Sequence, residues 1–134
     1  MTTYSGLITS LNNLSIAGVT KVTTPPVRIN AADLPIGFPR LPSGSSETNV
    51  LSMANFRDDL TCEYVVIIEP RNLNVQPVNY ALATSIMDAL NAALKAESTS
   101  TQAFWKWDIR MDIDTSTNVD YWAVSATVRG WSLT

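Results

Sequence analysis

The sequence predicts a single α+β domain with a mixed or antiparallel sheet of about four strands, one long helix packed across it and a short N-terminal helix. Three observations predict this class. Residues 78–95 place apolar side chains at helical spacing. Residues 60–69 and 105–129 carry the apolar runs and alternation typical of strands. The length of 134 residues is enough for one hydrophobic core, so residues 1–134 are expected to form one domain.

The first predicted element is an amphipathic helix over Thr3–Leu14. Its apolar side chains follow one another at intervals of three and four residues, which is the spacing of one buried helical face. Thr2 or Thr3 is expected to cap its start.

The region after this helix is rich in proline. Five of the seven prolines lie between residues 25 and 42, and a Ser/Gly patch follows at residues 43–46. Because proline lacks the backbone donor that a central strand needs, edge strands and turns are expected here rather than sheet interior. An extended arm or loop is predicted at about residues 35–55, and Pro42–Asn55 is expected to be its exposed part.

The clearest strand is Leu60–Glu69, which is rich in β-branched residues and ends at a proline. Its segment Val65–Ile68 is apolar on both faces, so this strand is expected to lie centrally in the sheet. The strongest helix is Val78–Lys95, with apolar side chains at steps of four. Residues 97–102 are rich in Ser and Thr and are interpreted as a linker.

The last part of the sequence predicts a β-hairpin. Apolar and polar side chains alternate along Trp105–Ile113 and again along Trp122–Arg129, with turn residues at Asp114–Asn118. Strict alternation indicates that one face lies on the core and the other in water.

Composition excludes several classes of function. The chain has no histidine and one cysteine, so Ser-His-Asp, Cys-His and histidine-based zinc sites are excluded, as are cysteine zinc sites and iron–sulfur clusters. A net charge of −3 and a pI of about 4.7 argue against a nucleic-acid-binding protein. Residues 1–14 lack a signal-peptide pattern, and no apolar run approaches the roughly 20 residues needed to span a bilayer.

Two clusters of polar residues are candidate sites. Asp112–Asp120 has the alternating oxygen ligands of a calcium loop, but Thr117 stands where glycine is required and Ala123 where the bidentate carboxylate is required. A hairpin turn is the better interpretation. Asp108, Arg110 and Asp112 share one strand face and are interpreted as surface ion pairs rather than as catalytic acids.

Cys62 is expected to be a buried structural thiol, because the chain has no histidine to activate it. Trp107 and Trp122 are assigned to the core. Trp105 and Trp131 lie near strand ends, where aromatic residues often anchor protein interfaces, and either a core or an interface role is open for them.

The order of these elements resembles the tail terminator, or tail completion, proteins of long-tailed bacteriophages. In that family an amphipathic helix is followed by an acidic residue before Leu-Pro or Phe-Pro, here Ala32-Asp33-Leu34-Pro35. A strand that ends in proline follows, here Leu60–Pro70 with Ile68-Glu69-Pro70 at its end. One long helix and an aromatic-rich hairpin close the domain. The arm at Pro42–Asn55 departs from the family pattern.

The resemblance implies a structural virion protein rather than an enzyme. Such a protein forms a ring, typically a hexamer, which caps the tail tube, ends its polymerisation and joins it to the head or neck. Its partners are other copies of itself, the tail tube protein and the head–tail connector or neck protein. It is assembled in the host cytoplasm and located in the tail or neck of the virion. No cofactor, metal or membrane is implied, and DNA is expected only as passing cargo.

Residues of the arm, of the segment before the central strand and of the C-terminal end are expected to form the subunit interface: Phe38, Arg40, Leu41, Phe56, Arg57, Asp58 and Trp131. Two alternatives stay open. The first is a head-completion (stopper) ring or another neck or tail ring protein. The second, from another class, is a small α+β ligand-binding or enzyme domain that uses carboxylate chemistry.

Overall fold

A computed structural model describes residues 3–49, 55–70, 80–115 and 119–133. In these residues the chain is an α+β fold with two α-helices and a six-stranded mixed sheet. The helices are α1 (Tyr4–Asn12) and α2 (Tyr80–Thr101), and a 3₁₀ turn spans Ala31–Asp33. The strands are β1 (Thr20–Lys21), β2 (Ile36–Pro39), β3 (Ser43–Asn49), β4 (Asn55–Pro70), β5 (Trp105–Asp114) and β6 (Tyr121–Leu133).

The sheet is organised around β4, its longest strand. The strand order is β1-β2-β4-β6-β5, and β3 pairs with β4 beside β2, so β2 and β3 share one edge of β4 end to end. β1 and β2 are parallel, whereas every other pairing is antiparallel. The sheet is therefore mixed, as predicted, but it has six strands because the proline-rich region contributes β1, β2 and β3.

Both helices pack on one face of the sheet and bury the larger core. The face contributes the even-numbered side chains of β4 from Leu60 to Ile68, together with the apolar residues of β6. From the helices come Leu7 and Leu11 of α1 and four residues of α2, which are Ala83, Ile86, Leu90 and Leu94. Burial of these side chains, at about 25 cal/mol per Å² of apolar surface, is the main stabilising contribution.

A second, smaller core covers one end of the opposite face. Phe38 of β2 packs there with Val65 and Ile67 of β4, and Val22, Ile29 and Leu34 of the preceding loop lie against them. Val65–Ile68 is therefore covered on both faces, and the prediction that this strand lies centrally in the sheet is confirmed. The proline-rich region supplies this cover, which explains its apolar residues.

The helices differ from their predicted lengths at the ends. Thr3 caps α1 as predicted, since its Oγ1 accepts a hydrogen bond from the Gly6 amide at 3.0 Å. α2 continues to Thr101, so the linker predicted at residues 97–102 is wrong. Ser98, Thr99 and Thr101 donate side-chain hydrogen bonds to carbonyl oxygens three or four residues earlier, which is how hydroxyl residues fit a helical turn. The predicted helix start at Val78 lies outside the described residues.

The hairpin and the arm complete the sheet. The prediction of a hairpin from β5 and β6 is confirmed, although part of its turn lies outside the described residues. The region predicted as an arm or loop splits in two. Ile36–Pro39 is a buried strand, and Ser43–Asn49 is a strand paired with Asn55–Thr61 of β4. We use the name arm for β3 together with residues 55–59 of β4.

Candidate functional site

The arm extends beyond the cores. Leu60, 2% exposed, is the first buried side chain of β4, and every described side chain from Ser43 to Thr48 is exposed. Near the arm, Leu41 is 85% exposed and Phe56 is 48% exposed. Leu41 lies between β2 and β3, and Phe56 lies at the start of β4, where β4 pairs with β3 but not yet with β6. Both apolar side chains are therefore available to a partner.

Charged residues of the arm are tied to polar neighbours within it. Arg57 Nε lies 3.2 Å from Asp59 Oδ2 on the same strand. Across the ladder, Ser46 Oγ donates a hydrogen bond to Asp58 Oδ1 at 2.5 Å. These contacts hold the side chains in place on the arm but add little to the free energy of unfolding, because exposed ion pairs contribute about 0–1 kcal/mol.

Beside the arm lies the polar sheet face, which we define as the sheet surface opposite the helices, outside the smaller core. Trp131 of β6 stacks there on Phe104, with ring centroids 6.3 Å apart and an interplanar angle of 21°. Phe104 is 68% exposed. A depression of about 520 Å³ adjoins this pair, and its lining includes Arg57, Asp59, Lys106 and Arg129.

At the other end of the polar sheet face, Arg40 forms an ion pair with Asp114. The Arg40 Nη2 donates to Asp114 Oδ2, and Arg40 Nε lies 4.0 Å from Glu63 Oε1. The Asp114 side chain is only 5% exposed and that of Arg40 28%. The Arg40 guanidinium also lies over the Phe38 ring, 5.7 Å from its centroid. This geometry makes Arg40 a link between β4, the β5 end and the smaller core.

A depression of about 320 Å³ opens beside this ion pair. Arg40, Arg110, Asp112 and Ser125 contribute to its lining. The Ser125 side chain is buried, and its Oγ has no hydrogen-bond partner among the described residues. A buried hydroxyl without a partner is unusual in folded proteins, and it marks this depression as the polar site most suited to a small ligand.

Cys62 is buried on the helix side of β4, as predicted. Its Sγ donates to the Arg40 carbonyl oxygen at 3.0 Å. Burial raises the pKa of this thiol from 9.0 to about 11, and the adjacent Glu63 carboxylate acts in the same direction. Burial likewise raises the pKa of Tyr64 to about 12. A thiol held in its neutral form is a poor nucleophile, so the structural interpretation of Cys62 is supported.

The seven residues predicted at an interface are only partly brought together. Phe56, Arg57 and Asp58 belong to the arm, Leu41 lies just before its first strand, and Trp131 lies beside it, paired with Asp59. Phe38 is instead 1% exposed, because pairing of β2 with β4 carries it into the smaller core, so it cannot contact a partner. The Arg40 side chain forms an ion pair with Asp114 and does not point to the surface near the arm.

The acidic clusters behave as surface or structural charges. Arg110 Nε lies 3.5 Å from Asp112 Oδ2, and both side chains are about 60% exposed, so the prediction of a surface ion pair is confirmed. Part of the segment Asp112–Asp120, which was compared with a calcium loop, lies outside the described residues. Within the described ranges, no three acidic or cysteine side chains are grouped as metal ligands would be.

Sequence reasoning missed Asp114, Ser125 and Phe104 as features of the site. Asp114 was assigned to a turn and Ser125 to a solvent face, and neither position carries a local signal of burial. The structure places Ser125 on the same face of β6 as Ala123, which is buried in the smaller core.

Comparison of the sequence with protein-family models and with curated proteins gives no match. In the part of the chain that the structure describes, no helix has the length and apolar character needed to cross a membrane.

Proposed function

We propose that this protein is a ring-forming structural protein of a bacteriophage tail, of the tail terminator type. In this role it caps the tail tube, ends tube polymerisation and joins the tube to the neck of the head. It acts through contacts with its own copies, most simply as a hexamer, with the tube protein and with the connector. It transforms no substrate and needs no cofactor.

The observation that carries the proposal is the arm. Phe56 is exposed at the far end of the arm and Leu41 is exposed just before β3, and each offers apolar surface that the domain itself does not cover. A closed ring requires two different patches on each subunit. The arm supplies the first, and the polar sheet face with its Phe104–Trp131 stack supplies the second.

The charge of the protein is also consistent with a conduit for DNA. With a net charge of −3, an inner wall made of these subunits repels phosphate and lets DNA pass without binding. Tight binding of duplex DNA by the purified protein at physiological salt would contradict this part of the proposal.

The test compares ring formation by three proteins with electron microscopy and light scattering. The wild type is expected to form rings, alone or on tail tubes. The double variant Leu41→Ser/Phe56→Ser is expected to lose them while keeping its unfolding midpoint. Val27→Ser, which alters another side chain that is 95% exposed, is the matched control and is expected to form rings normally. In the phage, loss of the protein is expected to give tails of uncontrolled length.

A stopper ring at the head is distinguished by its partner. A terminator is expected to bind tail tubes, whereas a stopper binds the head connector and leaves tube length unchanged. If the wild-type protein forms no ring and binds neither tubes nor connector, the virion proposal is wrong.

One observation favours the ligand-binding alternative, namely the unpartnered Ser125 hydroxyl in the depression beside Arg40 and Asp114. A small polar ligand there is expected to raise the melting temperature of the wild type but not of Ser125→Ala. A thermal-shift screen of polar metabolites with both proteins separates this class from the structural one.

A further inference from the structure

β5 is the outermost strand on its side of the sheet. It is ten residues long and pairs through all of them with β6. Nothing in the described parts of the chain pairs with its other edge. An edge of this length presents unpaired backbone amide and carbonyl groups and is a template for a further strand.

The charges along this edge alternate in sign. On the polar sheet face β5 carries, in order, Lys106, Asp108, Arg110 and Asp112, all of them exposed. Ile109 lies at the middle of this series. Lys106 and Asp112 are each three residues from Ile109, and Asp108 and Arg110 are each one residue from it. Positions equally far from the centre therefore carry opposite charges.

We propose that β5 pairs antiparallel with β5 of a second copy, about a two-fold axis at Ile109. In this register Lys106 of one copy lies opposite Asp112 of the other, and Asp108 lies opposite Arg110. Because the contact is symmetric, each pair occurs twice. Directly opposite residues in an antiparallel pair have Cβ atoms about 5 Å apart, which is close enough for opposite charges to attract.

The apolar side of β5 fits the same register. Trp107 faces Met111 across the axis, Trp105 faces Ile113, and Ile109 faces its own copy. All five side chains are only partly buried in the single chain. Aromatic–aliphatic cross-strand pairs of this kind stabilise antiparallel ladders, so the contact covers apolar surface that the subunit leaves in water.

Neighbouring registers are disfavoured. A shift that brings Lys106 opposite Arg110 also brings Asp108 opposite its own copy, and these contacts are between like charges. The opposite shift pairs Asp108 with Asp112 and Arg110 with itself, again like charges, which destabilise cross-strand pairing. Its opposite-charge pair is Lys106 with Asp114, whose carboxylate already pairs with Arg40 and lies largely buried. A shift by one residue would place charged side chains on the apolar side. The charge pattern thus selects one register and the second copy as occupant.

This contact does not depend on the ring proposed above. It uses the outer edge of β5 and leaves the arm, Leu41 and Phe56 free. Loss of ring formation in the arm variant Leu41→Ser/Phe56→Ser is expected to leave the β5 pair intact. The two proposals therefore fail independently.

Charge reversal and its repair test the proposal by sedimentation equilibrium. Arg110→Asp alone, or Asp108→Arg alone, turns both copies of one pair into like-charge contacts and is expected to weaken the dimer about tenfold or more. The double variant Asp108→Arg/Arg110→Asp restores opposite charges and is expected to recover wild-type affinity. Asp88→Arg, an equal charge change on an exposed position of α2, is the control and is expected to have no effect.

A cross-linking experiment gives a second readout, which detects the contact even if a charge-reversal variant is destabilised. Under mild oxidation Ile109→Cys is expected to form a disulfide-linked dimer, because the axis places the residue opposite itself. Lys106→Cys is expected not to, since its two copies are separated by about 20 Å along the strands. A wild-type protein that stays monomeric at high concentration, single reversals without effect, or a double variant that is not rescued would each overturn the proposal.

Discussion

The guanidinium of Arg40 and the carboxylate of Asp114, 74 residues apart in the sequence, form an ion pair at the margin of the polar sheet face. Arg40 is fixed there by its backbone as well. Its amide donates to the Glu63 carbonyl oxygen at 2.8 Å, and its carbonyl accepts from Cys62 Sγ at 3.0 Å. The pair therefore joins the start of the arm region to the end of β5.

Replacement of Asp114 is expected to destabilise the protein. Asp114→Asn removes the charge that faces the partly buried Arg40, and loss of one partner of such a pair costs about 2–3 kcal/mol when one side chain retains some access to water. Urea unfolding measures the change. Asp112→Asn is the matched control, because its ion pair with Arg110 is exposed and its removal is expected to cost less than about 0.5 kcal/mol. Equal losses for the two variants would contradict the structural role of Asp114.

Alkaline solution is expected to destabilise the protein through Cys62. The folded-state pKa of about 11 lies above the ordinary value of 9.0, so the unfolded chain loses the thiol proton first as the pH rises. Stability is unaffected below pH 9 and falls between pH 9 and 11, by at most about 1.4 kcal/mol per pH unit. Denaturant titrations measure the fall, and Cys62→Ala is expected to flatten it between pH 9 and 10. Above pH 10 the raised pKa of Tyr64 adds a fall that this variant keeps.

The same burial predicts slow thiol chemistry. At pH 8 Cys62 of the folded protein is expected to react with a disulfide reagent far more slowly than in urea, because it is buried and protonated. Absorbance of the released thiolate follows both reactions. Equal rates in the two conditions would show that the thiol is exposed.

The contact between Trp107 and Asn91 is expected to anchor α2 on β5. The indole Nε1 donates to Asn91 Oδ1 at 2.9 Å in a partly buried setting. Asn91→Ala leaves this donor unpaired and is expected to cost about 1 kcal/mol of unfolding free energy. Asn91→Asp keeps an acceptor oxygen and is expected to cost less. Urea unfolding measures both variants, and a midpoint for Asn91→Ala that is not below that of Asn91→Asp would contradict the role of this hydrogen bond.

Gly44 is expected to be required for the arm to pair with β4. A Cβ at this position would lie 2.6 Å from the Asp59 carbonyl oxygen and from Leu60 Cδ2, and the backbone oxygen cannot move aside cheaply. Gly44→Ala is expected to destabilise by about 1–3 kcal/mol and to raise amide exchange in β3. Ser45→Ala, on the same exposed strand, is the control. Unchanged amide exchange in Gly44→Ala would show that the pairing of β3 with β4 has room for a side chain at this point.

The sequence predicted the elements whose signal is local. The alternation along Trp105–Ile113 identified that strand and assigned its faces, because burial there follows the parity of the residue number. The apolar run within Leu60–Glu69 identified the central strand, whose residues 64–68 are buried on both faces. The apolar steps of α2 likewise identified its buried side. Its last turn was missed because Ser and Thr are poor indicators of helix, and here their hydroxyls bond back to the helix itself.

Features that depend on the pairing partner rather than on local composition could not be predicted. β3 has the composition Ser-Gly-Ser-Ser-Glu-Thr-Asn, which favours turns, yet β4 offers it a ladder of partners. Phe38 was assigned to an interface because nothing near it in the sequence shows that Val65 and Ile67 lie beneath it. The partners Arg40 and Asp114 each resemble an ordinary surface charge until the fold brings them together.

The position of β6 affects how the chain reaches its fold. This strand is synthesised after β4, α2 and β5, yet it lies between β4 and β5 and pairs with both. The two neighbours therefore cannot join a common sheet until β6 has left the ribosome. A nascent chain stalled within β6 is expected to depend on chaperones, because β4 and β5 then lack the strand that joins them.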